Sequence, residues 1–233
     1  MYKKKTTPII IFILLLLGMS IFSYLPAAIF KIDLNKLSNG MKIAYEFSCN
    51  LGFMIIIFML YQDIIIDNLK KYLKEFKKNF KLSFSYYIVG FIIMIISNNI
   101  ITIFFSEATA NNEQAVRSLI DLYPLYMLFS VSIYAPFVEE LIFRKSIKDI
   151  VLAFGDNKIP KYLYIIISGL IFSSLHVLGT TSSFLDYLYI IPYLALGISF
   201  AALYYKTDNI FTTITMHSLH NTIAILLYIL VGV

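Results

Sequence analysis

Two adjacent carboxylates and an arginine lie at the end of an apolar run, within the stretch from Pro136 to Arg144. Glu140 and Arg144 are four residues apart, so on a helix they face the same way and can form an ion pair. Glu139 then lies about 100° around the helix, where Arg144 does not neutralise it. Because an unpaired charge in hydrocarbon costs at least about 2.5 kcal/mol, Glu139 is a candidate general base. The structural alternative is that both glutamates cap a helix end at the membrane interface.

Four further polar side chains interrupt apolar segments later in the chain, namely the three histidines, His176, His217 and His220, and Asn221. His217 and Asn221 are four residues apart and share a helix face, where two donors could stabilise an oxyanion. Alternatively, His176 and His217 with a glutamate would form a metal site that keeps one position open. Packing histidines and polar contacts between helices, worth roughly 0.6 kcal/mol each, are the structural alternatives. The role of His220 is left open by both patterns.

The composition is that of an integral membrane protein. Of the 233 residues, 59% are hydrophobic and 14% are charged, whereas globular domains have roughly 45–50% and 25%. Since one membrane-spanning helix takes about 20 residues, the spans leave no room for a separate soluble domain. The single cysteine, Cys49, cannot form an intrachain disulfide. The basic residues fall in short connections between spans, which is a topology signal rather than a nucleic-acid signature.

Seven apolar segments predict seven membrane spans. They cover about residues 8–30, 43–66, 82–105, 121–138, 162–178, 184–205 and 210–231. The first is too long for the apolar core of a signal peptide, so we interpret it as a retained span. Residues 70–81 place Leu73, Phe76 and Phe80 on one helical face among lysines, which predicts an amphipathic loop at the membrane interface. Residues 107–119 are predicted to be a polar linker.

The distribution of positive charge predicts the orientation of these spans. With the N-terminus inside, 15 of the 19 basic residues fall in internal segments, as the positive-inside rule requires. The prediction is therefore a multi-pass protein of the cell membrane, with a cytoplasmic N-terminus and an external C-terminus. The fold class is predicted to be all-α: a polytopic bundle of seven to eight transmembrane helices, with a catalytic core in about the last four.

Three motifs together resemble a known family. They are Glu-Glu-x-x-x-Arg (Glu139, Glu140, Arg144), Phe-x-x-x-His (Phe172, His176) and His-x-x-x-Asn (His217, Asn221). In this order on membrane helices they resemble the CPBP family of Abi or CAAX-protease-like intramembrane proteases, which are related to the type II CAAX prenyl endopeptidases. The resemblance covers about residues 123–227. We therefore divide the chain into N-terminal spans with the amphipathic basic loop, residues 1–120, and a catalytic core, residues 121–233.

The resemblance implies an endopeptidase in which Glu139 and His176 activate a water. It also implies that His217 and Asn221 stabilise the oxyanion. The residues that would support the site are Glu140, Arg144 and Phe172. These roles agree with the spacing argument, in which Arg144 neutralises Glu140 and leaves Glu139 free.

The resemblance leaves the cofactor open, because the family has been described both as metalloproteases and as metal-independent glutamate proteases. The alternatives are no cofactor or one divalent metal. A zinc ion would take Glu139, His176 and His217 as ligands and a water as the fourth.

The predicted spans conflict with a shared site. Glu139 would lie near the cytoplasmic end of the fourth span, whereas His176 would lie near the outer end of the fifth. One resolution is that Pro136 kinks or breaks the helix and residues 139–153 form a membrane segment of their own. That eighth segment would place the glutamates deeper in the bilayer.

The leading functional hypothesis is a peptidase acting on a membrane-associated peptide or protein, with membrane lipid and the substrate as partners and no nucleic acid. Bacterial members of the family are linked to bacteriocin self-immunity, peptide-pheromone maturation and processing that resembles that of prenylated proteins. The richness in isoleucine, lysine and asparagine suggests an AT-rich bacterial genome and favours the first two. Two alternatives stay open: a proton-coupled transporter with a Glu/His relay, and a non-proteolytic immunity or scaffold protein.

Overall fold

The computed structural model describes residues 6–105, 110–154, 158–181 and 183–232, which form helices and short connections without a β-strand. The helices are α1 (Thr6–Ile21), α2 (Tyr24–Ile29), α3 (Asn39–Lys74), α4 (Phe76–Phe105), α5 (Asn111–Leu122), α6 (Pro124–Ala153), α7 (Lys158–Leu178), α8 (Ile190–Thr207) and α9 (Ile210–Val231). Short 3₁₀ turns lie at Leu34–Lys36 and Phe184–Tyr189. The predicted all-α architecture is confirmed.

Among the described residues, six segments are long and apolar enough to cross a membrane: α3, α4, α6, α7, α8 with its preceding 3₁₀ turn, and α9. The apolar α1 is shorter, with 16 residues, and the predicted first span is divided between α1 and α2. Pro26 accounts for this break, because its ring nitrogen cannot donate to the carbonyl of Phe22 one turn earlier. The protein is a multi-pass helical membrane protein, as predicted.

The predicted limits of the fourth span are wrong, since α6 is one helix of 30 residues. It continues through Pro136, and a π-helical turn at Ser130–Tyr134 precedes that residue. The widened turn contains the carbonyl of Ser132, with which the proline ring would clash in a regular helix. The described part of the chain therefore contains no separate eighth membrane segment at residues 139–153.

A second π-helical turn covers Glu140–Ser146 and forms the centre of the main hydrophobic core. Leu141 and Ile142 are fully buried there. The Ser146 hydroxyl donates to the carbonyl of Leu141 at 3.2 Å and lies 2.8 Å from the hydroxyl of Tyr61 on α3. The helix that carries the glutamates is thus enclosed by its neighbours at this turn.

Both predicted connections, the amphipathic segment at residues 70–81 and the polar linker at residues 107–119, are helical over most of their described residues. Residues 70–81 are the end of α3 and the start of α4, separated by Glu75. The Asn79 amide donates to the carbonyls of Lys71 and Tyr72 and so caps the end of α3. Of the predicted polar linker, residues 107–109 lie outside the described residues, and Asn111–Leu122 form the amphipathic α5.

Close packing of α7 against α8 positions the helix that carries His176. A Cβ added at Gly197 on α8 would lie 3.1 Å from the Cα and from the carbonyl oxygen of Gly169 on α7. Glycine is required at this contact because small residues let membrane helices approach closely.

Candidate active site

The two glutamates lie in the middle of α6. Glu139 is 15 residues from Pro124 and 14 from Ala153, which is about 21 Å of helix on either side at 1.5 Å per residue. The predicted span limits put Glu139 near a helix end. In the structure both glutamates lie in the middle of one continuous helix.

A salt bridge at the far end of α6 shows how α6 lies relative to the start of α9. Lys148 on α6 pairs with Asp208, in the turn before α9, at 2.7 Å. Glu139 precedes Lys148 by nine residues, and His217 follows Asp208 by nine. Since the two equal intervals run from this contact in the same direction through the bundle, both residues reach a similar level.

Glu140 and Arg144 form the ion pair that their spacing predicted, and both side chains are fully buried. The Arg144 Nε donates to Glu140 Oε2 at 2.9 Å and its Nη2 to Oε1 at 3.3 Å. Its Nη1 donates to the hydroxyl of Ser168 on α7 at 3.1 Å, and this hydroxyl donates to the carbonyl of Phe143. A buried ion pair is stable only when its remaining donors and acceptors are also hydrogen-bonded. Here the additional bond to Ser168 also links α6 to α7.

Glu140 has a second partner in His217, whose Nδ1 lies 2.9 Å from Oε1. A carboxylate paired with an arginine only accepts hydrogen bonds, so we assign the proton to Nδ1 of His217. The other ring nitrogen, Nε2, lies 3.9 Å from Oε2 of Glu139.

His176 is oriented in the same way by its own helix. Its Nδ1 lies 2.8 Å from the carbonyl oxygen of Phe172, one turn earlier on α7. Since a carbonyl can only accept, Nδ1 is the donor, and Nε2 lies 3.8 Å from Oε2 of Glu139. Two imidazole nitrogens from different helices thus converge on one carboxylate oxygen.

That oxygen, Oε2 of Glu139, is buried and has no hydrogen-bond partner among the described residues. Buried polar atoms are nearly always paired, so an unpaired one at a convergence of histidines indicates a functional position. Distances of 3.8 and 3.9 Å are too long for direct hydrogen bonds. The arrangement provides one unpaired carboxylate with two imidazoles beside it.

The aromatic member of the second motif, Phe172, packs against several site residues at once. Its buried ring lies 4.6 Å from the Arg144 guanidinium carbon and 4.3 Å, centroid to centroid, from the His176 ring. The ring of His217 is 5.7 Å away. Phe172 therefore supports the site by packing, while its backbone carbonyl orients His176.

Asn221 and His220 face other partners. The Asn221 amide nitrogen donates to the carbonyl of Val131 at 2.8 Å, in the first π-helical turn of α6. The Nδ1 of His220 lies 3.3 Å from the hydroxyl of Tyr87 on α4, and its ring packs on Tyr87 and Phe91. The structure thus brings His220 against α4 and away from Glu139.

The donor set of one carboxylate and two imidazoles is of the kind that zinc takes. Within the described ranges, however, no group of three or more His, Cys, Asp or Glu side chains has the arrangement of a metal site. The side chains as placed do not form a metal cage, and we derive no step through a metal.

Sequence reasoning missed residues that hold the site together. Ser168 connects Arg144 on α6 to α7, and the ring of Tyr193 on α8 packs on His176 at 5.0 Å. Beside His176 lies a cavity of about 10 Å³ between the start of α5 and the end of α7, the room of one water at most. A signal for Ser168 was present, because small polar residues in apolar helices mark close contacts between helices.

Fold and site together define a class: a polytopic helical membrane protein with buried glutamates and histidines that converge at mid-helix. Comparison with known proteins agrees with this class. Residues 121–223 match the family model described as type II CAAX prenyl endopeptidase Rce1-like. This segment, less than half of the chain, is therefore similar to the CPBP/CAAX protease family.

A curated relative comes from Bacillus subtilis (strain 168) and carries the name "Putative membrane peptidase YdiL". It is 31% identical over 153 residues, which are 63% of this chain and 57% of the relative. The match thus spans little more than half of the relative's length. No solved structure matches the chain.

Proposed function

We propose that the protein is an intramembrane endopeptidase that hydrolyses a peptide bond in a membrane-associated peptide or protein. The observation that supports this most is the convergence of the His176 and His217 Nε2 atoms on the unpaired oxygen of Glu139, at 3.8 and 3.9 Å. Polar groups more than 3.5 Å apart can be bridged by a water, and a water is the nucleophile of a hydrolase. The similarity of residues 121–223 to the type II CAAX prenyl endopeptidase family model supports the same reaction class.

In the proposed reaction, Glu139 accepts a proton from a water that His176 also contacts. The water oxygen attacks the carbonyl carbon, and the negative charge develops on the carbonyl oxygen. The proton on Glu139 then passes to the amide nitrogen as the C–N bond breaks, which regenerates the carboxylate and releases two peptide ends.

Stabilisation of the oxyanion places a requirement on His217. Its Nδ1 hydrogen is already committed to Glu140, so it can donate from Nε2 only as an imidazolium, with Glu140 as the counter-charge. Asn221 uses one amide hydrogen on the carbonyl of Val131 and retains a second, which is the hydrogen that an oxyanion role would use.

The proposed substrates are precursors of secreted peptides, such as a pheromone or a bacteriocin, in a bacterial plasma membrane. A deletion strain and its parent would be compared by mass spectrometry of membrane peptides. A peptide that accumulates uncleaved in the deletion strain, and is restored by the wild-type gene but not by Glu139→Gln, would identify the substrate. Restoration by Glu139→Gln would instead show cleavage that does not need Glu139, whereas a deletion strain in which no uncleaved peptide accumulates would favour a non-proteolytic immunity role.

Whether the proposed activity requires a metal ion can be measured directly. Purified protein in detergent would be analysed for bound zinc and assayed with and without a chelator. Activity that survives chelation in metal-free protein supports the water-and-glutamate mechanism. Activity that disappears and returns with stoichiometric zinc would show that the three side chains rearrange into a metal site.

A further inference from the structure

The His176 ring packs against two aromatic rings from different helices. Phe172 packs on one side at 4.3 Å and Tyr193 on α8 at 5.0 Å, centroid to centroid. The hydrogen bond from Nδ1 to the Phe172 carbonyl fixes one edge, but a single bond at one edge leaves the ring free to tilt about it. The second aromatic ring removes this freedom, since it lies on α8 and not on the histidine's own helix.

Tyr193 is in turn held by α5. The amide nitrogen of Asn112 donates to the Tyr193 hydroxyl at 3.4 Å. Asn111, the residue before Asn112, donates to the carbonyl of Thr180 and to the carboxylate of Asp186, both at 3.0 Å. The first turn of α5 is therefore attached to the connection between α7 and α8, directly beside the tyrosine.

We propose that Tyr193 is a positioning residue, which keeps Nε2 of His176 directed at Glu139, and that Asn112 on α5 holds Tyr193 in that position. The inference rests on the proposed peptidase function for its kinetic consequences, whereas its structural part is independent of catalysis. It gives α5 a role in the site, although α5 lies before the residues that the three motifs cover.

The direct test uses the small number of histidines. With ¹⁵N-histidine labelling, the three imidazoles are assigned by single substitution and followed by NMR in detergent. Tyr193→Leu and Asn112→Ala are expected to shift and broaden the His176 ring signals while those of His220 stay unchanged. The matched control is Tyr187→Phe, in the exposed 3₁₀ turn before α8, which is expected to leave all three unchanged. Unaltered His176 signals in Tyr193→Leu would overturn the proposal.

The kinetic test is a double-mutant cycle with a cleaved peptide as substrate. Asn112→Ala and Tyr193→Phe remove the same hydrogen bond, so each is expected to lower kcat by roughly tenfold and the double variant by no more than either. Tyr193→Leu, which also removes the ring, is expected to cost roughly a hundredfold, with KM within about twofold of wild type.

The two failures are distinguishable. Additive losses in the cycle, or losses confined to thermal stability, would overturn the positioning role while leaving the peptidase intact. A wild-type protein that cleaves no peptide would overturn the proposed function, and the NMR measurement would still decide whether Tyr193 orients His176.

Discussion

Glu139 and Glu140 are neighbours in sequence with opposite surroundings. The carboxylate of Glu140 is saturated by Arg144 and His217, whereas Oε2 of Glu139 has no partner in the described part of the chain. A saturated carboxylate stabilises the arrangement, and an unpaired one is free to take a proton. The difference arises because adjacent residues on a helix point about 100° apart, so the two side chains meet different neighbours.

Glu139→Gln is expected to abolish the proposed activity and leave the fold intact. An amide has the same shape but cannot accept the proton of the water, so kcat should fall by about 10²–10⁴. The measurement is peptide cleavage by purified protein, with the thermal midpoint as a control for folding. Cleavage within a few-fold of wild type would remove Glu139 from the base role.

Arg144→Met is expected to act on stability first. It leaves Glu140 buried without its main counter-charge, which typically costs about 3–5 kcal/mol. The expected result is a clear drop of the thermal midpoint in detergent. If Arg144→Met unfolds at the wild-type temperature, the buried pair does not stabilise the bundle as inferred.

At the scale of elements, two π-helical turns in α6 place the residues of the candidate site. The first π-helical turn accommodates Pro136 and offers the Val131 carbonyl to Asn221, and the second carries Glu140 and Arg144. Such turns redirect the side chains that follow them, and they are common at functional sites.

Gly197→Ala tests whether the approach of α7 and α8 positions the site. The new Cβ would lie 3.1 Å from Gly169 and 3.3 Å from the ring of Phe172, so the helices must separate at a cost of about 1–3 kcal/mol. We expect a lower thermal midpoint together with reduced cleavage, because Phe172 supports His176.

The matched control is Gly40→Ala, near the start of α3, where an added Cβ meets nothing within 4 Å. It is expected to be neutral or to raise stability by up to about 1 kcal/mol, since alanine is the better helix former. Equal effects of the two variants would contradict the packing argument.

At the scale of the whole molecule, the ends of the bundle differ in charge. The Lys148–Asp208 salt bridge, the basic end of α3 and the start of α7 are at the end predicted to be cytoplasmic. The turn that precedes α8 lies at the opposite end. Because basic residues stay on the cytoplasmic side, the distribution determines the predicted orientation.

Single cysteines introduced into a Cys49→Ser background test this orientation in intact cells. Ser183→Cys, before α8, is expected to react with a membrane-impermeant maleimide from outside. Lys206→Cys, at the end of α8, is expected to react only after permeabilisation. The reverse pattern would invert the topology and place the start of α5 on the cytoplasmic side.

The sequence by itself determined the membrane class, the all-α fold, the approximate spans, and the division between a paired Glu140 and a free Glu139. These properties follow from hydropathy and from helical spacing, which are local. It misplaced the limits of α6, because Pro136 normally ends a helix and the π-helical turn that accommodates it has no simple sequence signal.

Only the tertiary structure decided which side chains meet. The contacts of Glu139 and Glu140 with His217 depend on the packing of α6 against α9, and the contact of His176 with Tyr193 depends on the packing of α7 against α8. Such contacts are set by the crossing of whole helices. The periodicity of one segment contains no information about its neighbour, which is why Ser168, Tyr193 and Asn112 entered the site only through the fold.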